Sequence, residues 1–439
     1  MKGIWKILFW VNWVIIFGFW WNGSGELLKA GEITGFLVAF GRLAGLVAAY
    51  MILLQFFFMG RTSYLERVFG LDKLSQVHHK NGRWGIIFLL IHPILLALGY
   101  KSFTNSDFWE QLWLMISGSD EMWLAAGGLF LFIIVVISSL IIVQKRFKYE
   151  SWYFVHLVAY LAVFGSFWHQ IAIGTDILAS KIFYGYWIAL YIFVFANHLV
   201  FRFFRPVYLY FNHRFFAERV VRENYNTVSI YIGGRNLEKF KIHSGQFMIF
   251  RFLKKGYWLQ AHPFSLSMMP DGKNLRITVK NVGDFTSRIQ EIAVGTKILI
   301  DGPYGVFMDL FGISNKVLFI AGGIGITPVR SLMEEMVQRG RDVVLLYSNR
   351  SEKDIVFGHE IQEVIDGRAK VVNVISDEPE FKGERGRLDE EKIRRLTPDV
   401  AEREIYLCGP PPMMEAIIQI LKSLGVPERR IHFEKFSMG

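Results

Sequence analysis

A single cysteine, Cys408, stands in 439 residues. One thiol excludes an intramolecular disulfide, and equally a cysteine-ligated iron–sulfur cluster or zinc site. No small-residue cleavage motif follows the first apolar run, which is therefore expected to be a retained helix and not a signal peptide. The formal net charge is +10, but the cations crowd the flanks of apolar runs, as in a chain facing anionic lipid. Nucleic acid is not an expected partner. What the chain has in excess is apolar surface. Just over half its residues are hydrophobic and 16% are aromatic, nearly all of the excess before about residue 205. A membrane half followed by a soluble half is the natural division.

Spanning a bilayer as a helix takes about 20 mostly apolar residues. Six segments qualify, at about 4–21, 34–58, 76–100, 122–144, 151–172 and 182–204. Arg61, Arg67 and Lys73 lie between the second and third; Lys145, Arg146 and Lys148 between the fourth and fifth; Arg202, Arg205, Arg214 and Arg219 after the sixth. The opposite connections carry Asp107, Glu110, Asp120, Glu121 and Asp176 and few cations. The bias predicts that both termini and the soluble half are cytoplasmic.

Histidine placement is the informative feature. The third span carries His78, His79 and His92, the fifth His156 and His169. Ionisable groups inside a membrane segment are costly and mark function by default; one such residue alone would be an ordinary hydrogen-bonded core residue. Four at two matching depths are different. His78 and His92 are fourteen positions apart, about 40° short of four turns and about 21 Å along the axis, so they share one face. Histidine is an axial haem ligand. Two helices, each with a His near either surface, can clamp two stacked haems, His78 with His156 and His92 with His169. His156 and His169 are thirteen apart, about 140° short of four turns, so a π-bulge, a bend or different approach angles are needed. His79 to His92 is also thirteen, and spacing leaves His79 open. Arg42, eight residues into the second span, either snorkels to the interface or pairs with an outer-haem propionate or an anionic species beside it.

After residue 205 the periodicity changes. Thr227–Ile232, Phe247–Phe252 and Leu275–Val279 read as antiparallel strands. Val317–Ala321, a helix over 328–339, Asp342–Tyr347, Val371–Ile375, Ile405–Cys408 and a helix over 412–424 alternate as in an α/β nucleotide-binding layout. The boundary falls near Gly302-Pro303-Tyr304-Gly305. Ala321-Gly-Gly-Ile-Gly-Ile-Thr-Pro328 follows a strand and opens a helix, where glycines admit a pyrophosphate to the helix N-terminus and Pro328 suits the first turn. Tyr347-Ser-Asn-Arg350 ends the next strand, the position of a ribose-reading group; a cation there favours the 2′-phosphate of NADPH.

Taken together, these residues resemble the ferric reductase and NADPH oxidase superfamily over nearly the whole chain, most closely its compact prokaryotic NADPH oxidases. Gly70-Leu-Asp-Lys-Leu-x-x-Val-His78, with Gly82 and His92 beyond, looks like the first haem-ligand helix and favours His78 over His79. Trp152-x-x-x-His156-x-x-x-Tyr160 leading to His169 looks like the second, and the family also spaces this pair by thirteen. His262-Pro263-Phe264-Ser265 resembles the FAD motif, with Phe264 and Ser265 implied at the flavin. Lys280, Gly283, Phe285 and Thr286 resemble the part that holds the FAD phosphates. Gly322, Gly323, Gly325, Thr327 and Pro328 resemble the NADPH phosphate loop. Cys408, Gly409 and Pro410 open the motif beside the nicotinamide, and Phe436 in Glu434-Lys-Phe436 resembles the aromatic that covers the isoalloxazine.

The expected architecture is therefore a six-helix transmembrane di-haem domain (1–208), an antiparallel β-barrel FAD domain (209–305) and an α/β NADPH domain (306–439). The expected cofactors are FAD, NADPH and two haem b. No calcium-binding loop or regulatory insertion is present, the linker 205–218 is short, and no obligatory protein partner is evident. O2 giving superoxide is the leading acceptor, because the outer connections 22–33, 101–121 and 173–181 are short and hold no His or Cys. A ferric chelate is the alternative. In a further alternative the chain donates electrons to a protein partner, with Phe108-Trp109-x-x-Leu112-Trp113 as docking surface; as an aromatic belt the same segment would simply be an interfacial lid.

Overall fold

The computed structural model describes residues 2–143, 149–309, 314–365 and 367–434. The cationic residues Lys145, Arg146 and Lys148 and the aromatic Phe436 lie outside the described residues. The chain forms two compact units.

The first unit comprises residues 1–62 and 73–201. Its helices are α1 (Lys2–Lys29) and α2 (Ile33–Met59), then α4 (Leu71–Thr104) after the short α3 (Ser63–Phe69). They continue with α5 (Phe108–Ser117), α6 (Asp120–Val143), α7 (Tyr149–Leu157), α8 (Ala159–Ala172), α9 (Thr175–Leu178) and α10 (Lys181–Leu199). Among the described residues six helical stretches are long and apolar enough to cross a membrane, by length and composition. A helix satisfies its own backbone polar groups, which hydrocarbon cannot do. Glycine lets two helices close up here: a Cβ at Gly165 would come within 2.8 Å of the Leu124 carbonyl oxygen, and one at Gly128 within 2.7 Å of that of Ala162. Small residues at such crossings are how apolar helices gain contact without a hydrophobic driving force. α5 is the segment 108–117, N-capped by Asp107, whose carboxylate accepts from the Glu110 N–H at 2.8 Å; Trp109 and Trp113 stay exposed.

The fifth span is interrupted. α7 ends at Leu157 and α8 begins at Ala159. Between them the Val158 N–H donates back three residues to Val155 (3.1 Å), a local tightening of the helix. This break lies between His156 and His169, where an unbroken helix has the wrong phase. A different irregularity, a π-helical stretch at Val200–Phe204, follows α10.

The second unit comprises Ser63–Asp72 and the chain from Arg202 onward. Its boundaries depart from the expected division at 208. α11 (Arg205–His213) buries Leu209 in the core of the following sheets, so what reads as a linker is a packed helix. Two three-stranded antiparallel sheets share that core. One has the order β1 (Phe216–Asn224), β2 (Thr227–Gly233), β5 (Leu275–Lys280). The other has β4 (His262–Ser265), β3 (Phe247–Phe252), β6 (Ile298–Tyr304). α12 (Asp284–Ile289) closes against them through Phe285 and Ile289.

The last part is a six-stranded parallel sheet. Its order is β10 (Glu384–Arg385), β9 (Ala369–Ile375), β8 (Asp342–Asn349), β7 (Lys316–Gly322), β11 (Glu404–Cys408), β12 (Ile431–Phe433). α13 (Ile326–Gln338) and α14 (Gly358–Ile365) cover one face, and α15 (Glu390–Leu396) and α16 (Pro411–Ser423) the other. Buried on both faces, the central strands read as continuous apolar runs such as Val317–Ala321. The strand order reverses direction between β7 and β11, and in such sheets ligands bind outside the carboxyl ends of the strands at that point.

Candidate functional site

Within the first unit, His78 on α4 and His156 on α7 face each other with ring centroids 6.1 Å apart and planes inclined by 61°. The His156 Nδ1 is buried and has no hydrogen-bond partner, while the backbone of Gln55 approaches His78 and that of Ser166 approaches His169. His79 is exposed, so His78 is the member of that doublet turned inward. His92, further along α4, is held by its backbone neighbours. Its Nδ1 donates to the Gly41 carbonyl oxygen at 2.7 Å. A carbonyl can only accept, so Nδ1 carries the proton and Nε2 keeps its lone pair, the arrangement that second-shell partners impose on ligating histidines. α2 makes room for this ring: a Cβ at Gly45 would lie 2.7 Å from it. His169 on α8 lies near His92.

Another histidine in the apolar helices, His198 on α10, shows what a structural histidine looks like here. Its Nδ1 donates to the Phe56 carbonyl oxygen (2.9 Å), and its Nε2 pairs with the Tyr160 hydroxyl at 2.6 Å. Both nitrogens are used. Among the described residues no group of three or more His, Cys, Asp or Glu side chains is arranged to hold a metal ion by itself.

Arg42 has protein partners. Its guanidinium lies 3.9 Å from the Asp176 carboxylate and donates to the Tyr100 hydroxyl at 3.3 Å. Asp176 also accepts from the Ser24 hydroxyl (2.8 Å), while its other oxygen is buried without a hydrogen bond. The sequence showed Asp176 only as one of the acids in an outer connection; the signal available was that a semi-buried Arg requires an acid nearby.

In the second unit β4 carries His262, Pro263, Phe264 and Ser265 alongside β3. The His262 ring stacks on Phe285 (centroids 3.7 Å, 24°), and Phe264 lies nearly parallel to Phe285 at 6.4 Å. Phe285 is thus buried in the sheet core. The Ser265 hydroxyl is buried and unpartnered. The Thr286 hydroxyl accepts from the Val282 and Gly283 N–H groups (2.9 and 3.0 Å), fixing the turn into α12. Lys280 forms an ion pair with Asp354 at 3.4 Å.

The parallel sheet brings Gly322, Gly323, Gly325, Thr327 and Pro328 to the end of β7, Arg350 to the end of β8, and Gly409 and Pro410 to the end of β11. They share the carboxyl edge at the reversal of strand order. Gly323 has φ +52°, a left-handed turn that glycine takes without strain. Gly325 backs onto the Cys408 carbonyl so closely that any Cβ would overlap it. Tyr347, read from sequence only as strand, braces this loop: its hydroxyl donates to the Gly323 carbonyl oxygen (3.2 Å) and accepts from the Val356 N–H (3.2 Å). Arg350 is exposed. Cys408 is fully buried, and burial, with Glu434 beside it, pushes its thiol well up. It is a neutral thiol there, not a nucleophile.

Two acids escaped the sequence reading. Glu66 on α3 is buried and accepts the Gly305 N–H at 2.7 Å. Glu434, just after β12, crowds the same glycine: a Cβ at Gly305 would lie 2.9 Å from its Oε1. Burial pushes the Glu66 carboxyl up to about 7, against the opposing pull of the Gly305 N–H, Arg67 and Arg205. Burial, reinforced by Glu66 and Asp72, pushes Glu434 well above the usual carboxylate range. Glu66 was visible only as one acid in a cationic connection, and Glu434 only as the residue opening the Phe436 motif.

Comparison with known proteins follows this division. The family described as "Ferric reductase like transmembrane component" matches residues 44–167. "FAD-binding domain" matches residues 217–308, and "Oxidoreductase NAD-binding domain" residues 319–419. The glycine betaine monooxygenase reductase subunit of Chromohalobacter salexigens is 34% identical over 173 residues, 36% of this chain and 46% of that one. The reductase component of propane 2-monooxygenase from Rhodococcus jostii is 34% identical over 166 residues, 35% and 45% of the two chains. The flavohemoprotein of Halalkalibacterium halodurans is 29% identical over 245 residues, 51% and 59%. The chain spans about half the length of the curated relatives it matches. It therefore has the ferric reductase / NADPH oxidase architecture: a ferric-reductase-like transmembrane domain followed by an FAD-binding and an oxidoreductase NAD-binding domain.

Proposed function

We propose that this chain carries electrons from cytoplasmic NADPH through FAD and two stacked b-type haems to O2 on the far side of the bilayer, giving superoxide. The observation that carries this reading is the His78–His156 pair. An imidazole nitrogen sits about 2 Å from a bound first-row metal. The 6.1 Å between the His78 and His156 ring centroids is a separation at which the two imidazoles would be able to hold one iron between them. His92, with Nδ1 held by the Gly41 carbonyl and Nε2 left over, set against His198 with both nitrogens paired, fits a ligand and not a core histidine.

When bound, FAD accepts a hydride from the reduced nicotinamide and releases electrons singly to haem irons, which pass them on one at a time. The residues of this chain do the rest. His78 with His156, and His92 with His169, would hold the two irons at different depths. Gly41 and Gly45 keep the His92 ring turned and its Nε2 free. The loop Gly322–Pro328 would receive the dinucleotide pyrophosphate at the α13 N-terminus, and Arg350 the 2′-phosphate. His262–Ser265 and Lys280–Thr286 would bracket the flavin and its phosphates. Two His per iron would leave the acceptor no coordination site of its own, and short outer connections suit one as small as O2. Reduction of a ferric chelate uses the same electron path, and the name of the matched transmembrane family favours it as the second reading.

The test is to purify the protein in detergent with FAD and haem, add NADPH, and follow the Soret and α bands with oxygen uptake. Haem reduction followed by cytochrome c reduction that superoxide dismutase suppresses supports the oxidase. Haem reduction with little oxygen turnover but fast reduction of ferric chelates supports the second reading. A protein without a haem spectrum overturns both.

A further inference from the structure

A buried ionic network joins β5, whose Arg276 reaches Ser267 just beyond the flavin motif, to the helix that opens at the nucleotide loop. Arg276 on β5 is almost completely buried, with 2% of its side chain exposed. Its guanidinium grips Glu360 on α14 through two parallel bonds, Nη1 to Oε2 at 2.8 Å and Nη2 to Oε1 at 2.9 Å. Nε donates to the Ser267 hydroxyl (3.1 Å), and Nη2 donates to the Ser267 carbonyl oxygen. Ser267 lies two residues beyond Ser265, at the end of the His262–Ser267 motif. Glu360 is shared: its Oε1 also takes Arg330 Nη2 at 2.5 Å. Arg330 sits on α13 two residues after Pro328, and it also pairs with Glu334, whose carboxylate accepts the Met269 N–H at 2.9 Å. The Phe357 ring, 4.6 Å below the Arg276 guanidinium, closes the site.

Buried ion pairs are weak stabilisers compared with apolar side chains of the same volume, but they impose geometry, because a planar guanidinium accepts a carboxylate in only a few orientations. Two links cross from the antiparallel sheets to the parallel-sheet domain, Arg276 to Glu360 and the Met269 N–H to Glu334, and the others brace them from either side. Ser267 and Arg276 stand on the first side; Glu360, Arg330 and α13 stand on the second.

We propose that Arg276 is a positioning residue for hydride transfer, acting through Glu360 and Arg330 to set α13 and its nucleotide loop in register with the flavin motif. This rests on the proposed NADPH-to-flavin step, in which two electrons and one proton leave the reduced nicotinamide together and arrive on the flavin. Donor and acceptor atoms must meet at about 3–3.5 Å, and an error near 1 Å costs about a hundredfold. A clamp that fixes the angle between the halves therefore bears on rate more than on affinity.

The test uses the full-length protein. For geometry without cofactors, spin labels are placed at Lys255→Cys and Glu391→Cys, both exposed positions; the native Cys408 is buried and does not compete. The label-to-label distance distribution is expected to be narrow in the parent, broad in Arg276→Met, and partly restored in Arg276→Lys. An unchanged distribution in Arg276→Met overturns the proposal. For rate, flavin bleaching is followed after anaerobic mixing with saturating NADPH. Arg276→Met and Glu360→Gln should slow it at least tenfold while NADP+ affinity stays within about twofold. A loss confined to NADP+ affinity also overturns the proposal. If the parent protein's flavin is bleached by neither NADPH nor NADH, the underlying hydride-transfer reading fails, and the distance measurement still decides whether Arg276 fixes the angle.

Discussion

Replacing Glu66 by Gln should make the protein less sensitive to alkaline pH. In the native structure burial raises the Glu66 carboxyl from its ordinary 4.5 to about 7. Between those values the folded protein holds a proton that the unfolded chain releases. A raised carboxyl contributes stability that is whole below pH 4.5 and lost as pH climbs through 7. At about 1.4 kcal/mol per tenfold change in proton affinity, the wild-type chain loses about 3 kcal/mol across this window. Gln does not titrate, and its amide oxygen can still accept the Gly305 N–H. The stability difference between variant and wild type should therefore be small near pH 5 and grow in favour of the variant to about 3 kcal/mol by pH 8. Urea midpoints of the two detergent-purified proteins from pH 5 to 8.5 measure it, since titrations away from the Glu66–Glu434 pair cancel in the difference. A flat difference curve, or one that grows toward acid, refutes the argument that Glu66 is held protonated by its surroundings.

Other perturbations follow from the same geometry. His169→Leu should leave one haem per chain in a pyridine haemochrome assay, with flavin bleaching by NADPH intact; loss of flavin binding would break the modular reading. Gly45→Ala places a methyl 2.7 Å from the His92 ring, overpacking worth about 1–3 kcal/mol, and should lower haem content without moving NADPH affinity. Arg350→Ala should cut kcat/KM for NADPH by roughly 10–100-fold, the worth of a charge-assisted contact, and leave that for NADH nearly unchanged. Asp176→Asn strips Arg42 of its carboxylate; breaking a buried pair costs about 3–5 kcal/mol, read as a lower midpoint of thermal unfolding, which Arg42→Gln in the same chain should partly restore.

The linear order of residues determined a good deal here. Apolar runs of about 20 residues set the spans because hydrocarbon leaves a backbone no alternative to helix, and the observed helices fall on them. The fourteen-residue interval from His78 to His92 put both rings on one face through helical pitch alone. Strand runs such as Phe247–Phe252 and the Gly-rich turn at 322–328 were equally local, since period-two alternation and glycine's backbone freedom need no distant partner. What tertiary structure decided were the meetings of residues far apart in the chain. The break at Val158, between His156 and His169, is one that no propensity announces. Choosing His78 over His79 depended on which ring met His156. Asp176 found Arg42 across 134 positions, Glu66 found Gly305 across 239, and Arg276 found Glu360 across 84. Spacing carries no information about such pairs. They exist because a charge taken out of water must find its partner wherever the fold brings one.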